Sequence, residues 1–136
     1  MTALLVATGG FLALELVGAL AHRFLLHGPW WSLHRSHHLR PSASVQSGDL
    51  VPLVLVLVWS GALVAGRAWW SPLAWFAAGA LAQVLLHVLV HDRGIHRRFG
   101  LPRVPLLGPW VRAHDRHHRT LGKPYGVLLA VSRRPV

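Results

Sequence analysis

The sequence predicts an all-α integral membrane protein: a helical bundle with three to four transmembrane helices and a His-rich two-metal site at its cytoplasmic end. Three observations predict it. Hydrophobic residues make up 53% of the 136-residue chain and charged residues 13%. The apolar positions come in blocks rather than at amphipathic spacing, which is the pattern of a membrane protein. Four histidine-rich motifs recur between and after those blocks in a fixed alternation. The length suits one domain of ordinary size, so residues 1–136 are read as a single membrane-embedded unit.

The first apolar block covers residues 1–20 and is interrupted only by Glu15. It lacks the basic start of a signal peptide, and the Ala21-His22-Arg23 exit makes a poor cleavage site, so a retained helix is expected. "HRFLLH" (22–27) and "HRSHH" (34–38) follow, then a "PSASVQSG" loop (41–48). The second block, 50–66, gives about 25 Å of helix at 1.5 Å per residue, slightly short of a ~30 Å hydrocarbon core. Pro52 sits in its first turn, where a missing N–H does little harm. "RAWW" makes a tight connection suited to the membrane interface, and the third block runs from 71 to 90 with Pro72 near its start. "HDRGIH" (91–96) comes next. "LPRVPLLGPW" (101–110) is a Pro-rich interfacial or re-entrant segment, "HDRHH" occupies 114–118, and "YGVLLAV" (125–131) is too short to span.

Crossings are then countable. Segment 22–38 follows the first span, and two further crossings precede 91–118, so both His-rich segments lie on one side. Of fourteen Lys and Arg, only Arg67 falls between the second and third spans. A bias of thirteen to one marks the His side as cytoplasmic. Topology thereby accounts for the net charge of +10, and no nucleic-acid partner is needed to explain it. There is no cysteine, which excludes disulfides, thiolate metal sites, iron–sulfur clusters and Cys nucleophiles.

Ten of the eleven histidines form the alternation: His22 and His27, then His34, His37 and His38, then His91 and His96, then His114, His117 and His118. Each is a pair followed by an HxxHH triplet. Residues i, i+3 and i+4 share a helix face, so a triplet can aim two or three ring nitrogens at a common point. The pairs are i and i+5, about 140° apart on an ideal helix. They cannot both face one ion unless the helix unwinds or each serves a different ion, and Gly28-Pro29 and Gly94 offer places to bend.

Ten imidazoles exceed the capacity of one ion, since zinc takes four ligands and octahedral iron six. Two ions with four or five histidines each, and positions left open for oxygen or water, fit the number. Imidazole suits iron, zinc, copper and nickel alike. Ligation needs neutral rings, and Arg23, Arg35, Arg93, Arg97 and Arg116 among the motifs would disfavour added protons. A single interfacial histidine is most often just a satisfied polar residue; the repeated set is not explained that way. His87 lies inside the third span and outside the pattern, equally readable as a hydrogen-bonded helix histidine or a ligand.

The chain has only four acids. Glu15 lies two turns before His22 on the same face and, as an intramembrane carboxylate, is expected to accept a ligand's ring N–H. Asp92 and Asp115 follow His91 and His114 and either do the same or neutralise local arginines. Asp49 is either a helix N-terminal acid or a further acceptor supporting a ligand.

In this order, with spans between the second and third motifs, "HRFLLH", "HRSHH", "HDRGIH" and "HDRHH" resemble the bacterial β-carotene hydroxylases of the fatty acid hydroxylase superfamily. The resemblance covers roughly Glu15 to Tyr125 and includes "ELVGALAHRFLLHG", Asp49-Leu50, "VHD" and "YGVLLA". It implies a non-haem di-iron monooxygenase of the bacterial inner membrane, with the ten histidines as ligands of two iron ions and O2 as co-substrate. It implies hydroxylation of β-ionone rings at C3, from β-carotene to cryptoxanthin and zeaxanthin. Arg35 departs from the pattern, which often has an acid there. A lipid-soluble polyene would reach the site laterally from the bilayer, along span faces rich in Leu, Val and Ala with Trp59, Trp75 and Phe76, although residues of these types more often face lipid or pack between helices. No haem, flavin or nicotinamide site is visible, so the electrons are expected from an external donor such as a ferredoxin and its reductase, and the cationic face favours an acidic one. The rival readings are a fatty acid or sterol hydroxylase or desaturase of the same superfamily, a haem-binding electron carrier, and a metal-binding or transport protein without oxygenase activity.

Overall fold

The computed structural model describes residues 1–39, 45–98 and 104–128. In these residues the protein is all-helical. Helix α1 (Thr2–Ala21) passes into a π-helical stretch, His22–Leu26, and α2 (Trp31–Leu39) follows. A 3₁₀ turn (Ser47–Asp49) leads into α3 (Leu50–Trp69), and α4 (Ser71–Val88) runs into a second π-helical stretch, Leu89–Ile95. A 3₁₀ turn, Pro105–Leu107, precedes α5 (Gly108–Thr120).

Three helical segments are long and apolar enough to cross a membrane: Thr2–Leu26, Ser47–Trp69 and Ser71–Asp92. They contain the three expected blocks. The second is longer than expected, at 23 residues, because the 3₁₀ turn Ser47–Asp49 joins its start and because Gly66 and Arg67 do not end it. Arg67 sits in the last turn, where a long cation can reach the interface, and the chain turns only at Trp70, whose backbone is extended. Pro72 then occupies the start of α4, where its fixed φ suits a helix. Helices α2 and α5, with 9 and 13 residues, are too short to span and carry the two HxxHH triplets instead.

Helix α4 is the centre of the bundle and packs against both α1 and α3. Its buried side chains are small: Ala74, Ala77, Gly79 and Ala80, with Gln83 and Val84 deeper along the helix. Small residues let backbones approach where lipid supplies no hydrophobic drive between helices. A Cβ on Gly79 would lie 1.8 Å from the Ala7 carbonyl oxygen, and one on Gly10 would lie 2.1 Å from that of Phe76. The α3–α4 hairpin closes the same way, with Gly66 against the backbone of Ala74. Outward positions such as Leu57, Val64 and Trp69 remain exposed, as a lipid-facing surface requires. Of the Pro-rich segment, residues 101–103 lie outside the described residues; the rest forms the 3₁₀ turn and the start of α5. Within "YGVLLAV", residues 129–131 also lie outside them.

Candidate metal centre

The two π-helical stretches resolve the problem posed by the i, i+5 pairs. A π turn bonds residue i+5 back to residue i, and His27 N–H donates to the His22 carbonyl as His96 N–H does to that of His91, each at 3.1 Å. The widened helix brings both members of each pair to one side. No kink at Gly28-Pro29 is required; Gly28 instead lets the chain pass tightly over the Phe24 carbonyl, 2.4 Å from where a Cβ would stand.

The ten patterned histidines gather into two groups of five. His22, His27, His34, His38 and His117 form the first, and His37, His91, His96, His114 and His118 the second; in each, the ring nitrogens that could bind an ion lie within 4.8 Å of one another. Every group receives one i, i+5 pair, the i, i+4 members of one triplet, and the middle histidine of the other triplet. Each triplet is thus divided between the groups, which couples α2 and α5. His87 joins neither group; it stacks on His91 at 5.4 Å one turn earlier.

In the first group, Nε2 of His22 lies 3.0 Å from that of His34 and 3.1 Å from that of His117. His38 and His34 are 3.1 Å apart and His27 and His117 3.2 Å, again between Nε2 atoms. Second-group His91 and His37 approach to 2.8 Å. Ligands at right angles around an ion with metal–nitrogen bonds of about 2.1 Å are about 3.0 Å apart, whereas a tetrahedron spaces them at about 3.4 Å.

Ring tautomers show that these contacts need a cation. His22 Nδ1–H donates to the Tyr125 carbonyl at 2.8 Å, and His117 Nδ1–H to the Gly122 carbonyl at 2.5 Å. A carbonyl only accepts, so in the neutral rings both Nε2 atoms carry lone pairs. Two buried lone pairs facing each other at 3.1 Å repel unless a positive centre lies between them. In the second group, both ring nitrogens of His96 and His114, and Nε2 of His118, are buried without a hydrogen-bond partner among the described residues. The donor set therefore fits two metal ions held by imidazole.

Protonation is also opposed. Burial, followed by the His38 ring, holds His34 down at about 3; burial and His117 hold His38 at about 4; burial and His38 hold His118 at about 2. His37 and His114 are pushed far below the usual range, by burial first and then by His96 and His118 respectively. His27 and His117 are lowered by burial too. His96, at about 4, is lowered first by burial and next by Arg98. Among the described residues the effect expected of interleaved arginines is thus secondary to desolvation and to neighbouring rings, with Arg98 contributing at His96.

The acids divide. Glu15 is buried, but the contacts that define it are the Gln83 amide, donating at 2.7 Å, and the Leu128 backbone N–H, donating at 2.9 Å. The Nδ1–H of His22 goes to Tyr125 instead. Asp92 accepts from His91 Nδ1–H at 3.0 Å and from Arg98 at 3.3 Å, so it contacts both a patterned histidine and an arginine. Asp49 caps the start of its helix by accepting the Gln46 N–H at 2.9 Å and also pairs with Arg98. Asp115 pairs with Arg119 on the exposed face of α5, the arginine-neutralising role.

A cavity of about 280 Å³ lies against the centre, between the apolar helices and the histidines. Leu14, Val17 and Gly18 of α1, Val51 and Leu55 of α3, and Val84 of α4 line it, and at its end stand His22, His34, His37, His91 and His114 from both groups. The aromatic residues expected along such a path are elsewhere: Trp59 and Phe76 pack on each other at 5.8 Å, and Trp75 is exposed.

A sequence profile of the family "Fatty acid hydroxylase" matches residues 7–132. The chain belongs to the fatty acid hydroxylase family. Among its relatives, the beta-carotene hydroxylase of Paracoccus sp. (strain PC1) is 30% identical, with 93% of this chain and 81% of that protein aligned. The beta-carotene hydroxylase of Pantoea ananas is 33% identical over 82% of this chain and 66% of its own. The chloroplastic beta-carotene 3-hydroxylase of Haematococcus lacustris is 31% identical, covering 93% of this chain and 42% of its own. No solved structure matches the chain.

Sequence reasoning about this family member missed Arg98, Gln83, and the Gly122 and Tyr125 carbonyls. Carbonyls carry no side-chain signal, and Arg98 looks no different from its neighbour Arg97. The resemblance of "YGVLLA" to family positions was the available pointer to the segment after α5.

Proposed function

We propose that this protein hydroxylates the β-ionone rings of carotenoids at C3, converting β-carotene to cryptoxanthin and zeaxanthin with O2 and external electrons. The observation that carries the proposal is the apolar cavity, lined by the three long helices, that ends on both histidine groups, in a chain similar to beta-carotene hydroxylases over 93% of its length. The site residues are the ten patterned histidines, holding two iron ions. When bound, the iron pair supplies the activation of dioxygen with two electrons, one oxygen atom entering a ring C–H bond and the other leaving as water.

The chain does the rest. The Tyr125 and Gly122 carbonyls and the Asp92 carboxylate hold His22, His117 and His91 with Nε2 free to bind. Leu14, Val17, Leu55 and Val84 exclude water and take up an apolar ring. The cavity, about 280 Å³, would take one ring end group, with the rest of the polyene left outside it. The thirteen cations on the His side favour docking of an acidic donor such as a ferredoxin, with the centre on the cytoplasmic side of a bacterial inner membrane.

The test is expression in a β-carotene-producing bacterium with a competent donor, followed by pigment chromatography. Hydroxylated carotenoid from the parent and none from His37→Ala is expected. Unchanged β-carotene with the parent protein in the membrane, alongside oxidised acyl lipids, would transfer the chemistry to a different chain.

A further inference from the structure

Arg98 is a buried guanidinium on a chain segment that no motif covers. Its side chain is 4% exposed. It donates from Nη1 to Asp49 Oδ1 at 2.6 Å and from Nη2 to Asp49 Oδ2 at 2.5 Å, a two-armed grip on the carboxylate that closes the 3₁₀ turn leading into α3. The same Nη1 reaches Asp92 Oδ1 at 3.3 Å, and that oxygen accepts the Nδ1–H of His91. One guanidinium therefore links a cavity-wall helix to the acceptor that orients a second-group ring.

The physical consequence follows from the membrane setting. Two carboxylates gathered near the second group repel each other and are costly to bury unless a cation stands between them. Planar Arg serves both at once, whereas a Lys ammonium cannot reproduce the two-armed grip. Without the guanidinium, Asp92 has reason to turn away toward water, and His91 loses the partner that fixes its tautomer. Asp49 and Asp92 also both line the cavity, so their separation would move the α3 wall.

We propose that Arg98 is the positioning residue of the second histidine group: through Asp92 it fixes His91 for metal binding, and through Asp49 it ties that ring to the start of α3. Among the described residues the first group shows no such cation; its His22 and His117 are oriented by backbone carbonyls. Losing Arg98 should then weaken one metal site and spare the other. The inference rests on the two-metal reading above.

The experiment measures metal content of detergent-purified protein under graded chelator competition, for the parent, Arg98→Gln, Arg98→Lys and the exposed control Arg119→Gln. Two ions per chain are expected for the parent and for Arg119→Gln. In Arg98→Gln one ion should be released at ~10–100-fold lower chelator, the range for loss of a ligand's supporting partner, while the other stays at its parental affinity. Arg98→Lys should fall between. A cycle with His91→Ala separates positioning from general loosening, because Arg98→Gln should add no further loss where His91 is already absent. Parental affinity for both ions in Arg98→Gln, equal weakening of both, or an added loss in the His91→Ala background would overturn the role of Arg98. If Arg98→Gln does not accumulate, Arg98→Lys carries the same comparisons. A parent that binds fewer than two ions would instead overturn the two-metal reading itself.

Discussion

A neutral imidazole has two nitrogens and one proton, so whatever takes the proton decides which nitrogen can bind a metal. At His22 and His117 a backbone carbonyl takes it, and at His91 a carboxylate does. Burial then keeps the rings neutral, with His34 and His38 held near 3 and 4 and His96 near 4 against an ordinary 6.5. For metal-free protein this fixes the direction of a pH effect. Above about pH 6.5 neither folded nor unfolded rings take up protons; below it the unfolded rings charge while the folded ones stay neutral, so stability falls. Chelator-treated protein in detergent should lose thermal stability progressively from about pH 6.5 to about pH 4, levelling only where the folded rings themselves begin to protonate. A melting temperature constant across that window would contradict the buried, neutral cage.

At the level of elements, the decisive devices are the π turns and the glycine contacts. The π turns let an i, i+5 pair share a target, which an α-helix forbids. The glycine contacts set how near α1 and α4 come, and hence where His22, at the end of α1, meets the rings carried beyond α4. Gly79→Val forces side-chain atoms into the Ala7 backbone, 1.8 Å from the Cβ position. Overpacking of a tight contact costs about 1–3 kcal/mol, and backbone on the far side leaves no flexible group to give way. Denaturant titration in detergent should show that destabilisation, with Gly61→Val as the comparison, since a Cβ there meets nothing within 4 Å.

Across the described molecule, spans, short helices and the segment after α5 line a cavity whose far end is the histidine cluster. Gly18 lines that cavity, and its Cβ position is open. Gly18→Phe should therefore fill the passage without touching a ligand. Turnover of carotenoid should drop by on the order of 100-fold, the scale of an angstrom-level misplacement, while metal content stays at the parental value. Pigment analysis and metal analysis on the same preparation check this, and full turnover with Phe in place would move the substrate path elsewhere.

By itself the sequence determined the fold class, three apolar segments of membrane length, and the ten histidines as a set that comes together. Apolar runs of membrane length and a repeated residue pattern are local signals. Tertiary structure decided how the ten divide, because which triplet member crosses to the other group depends on how α2 and α5 face each other. It also placed Glu15 with Gln83 and Leu128, set Trp59, Trp75 and Phe76 outside the cavity wall, and recruited Arg98 and two carbonyls as supports. Those roles arise from contacts between residues far apart in the chain, such as His22 with Tyr125 or Arg98 with Asp49, and no spacing along the sequence encodes which distant partner a buried polar group will meet.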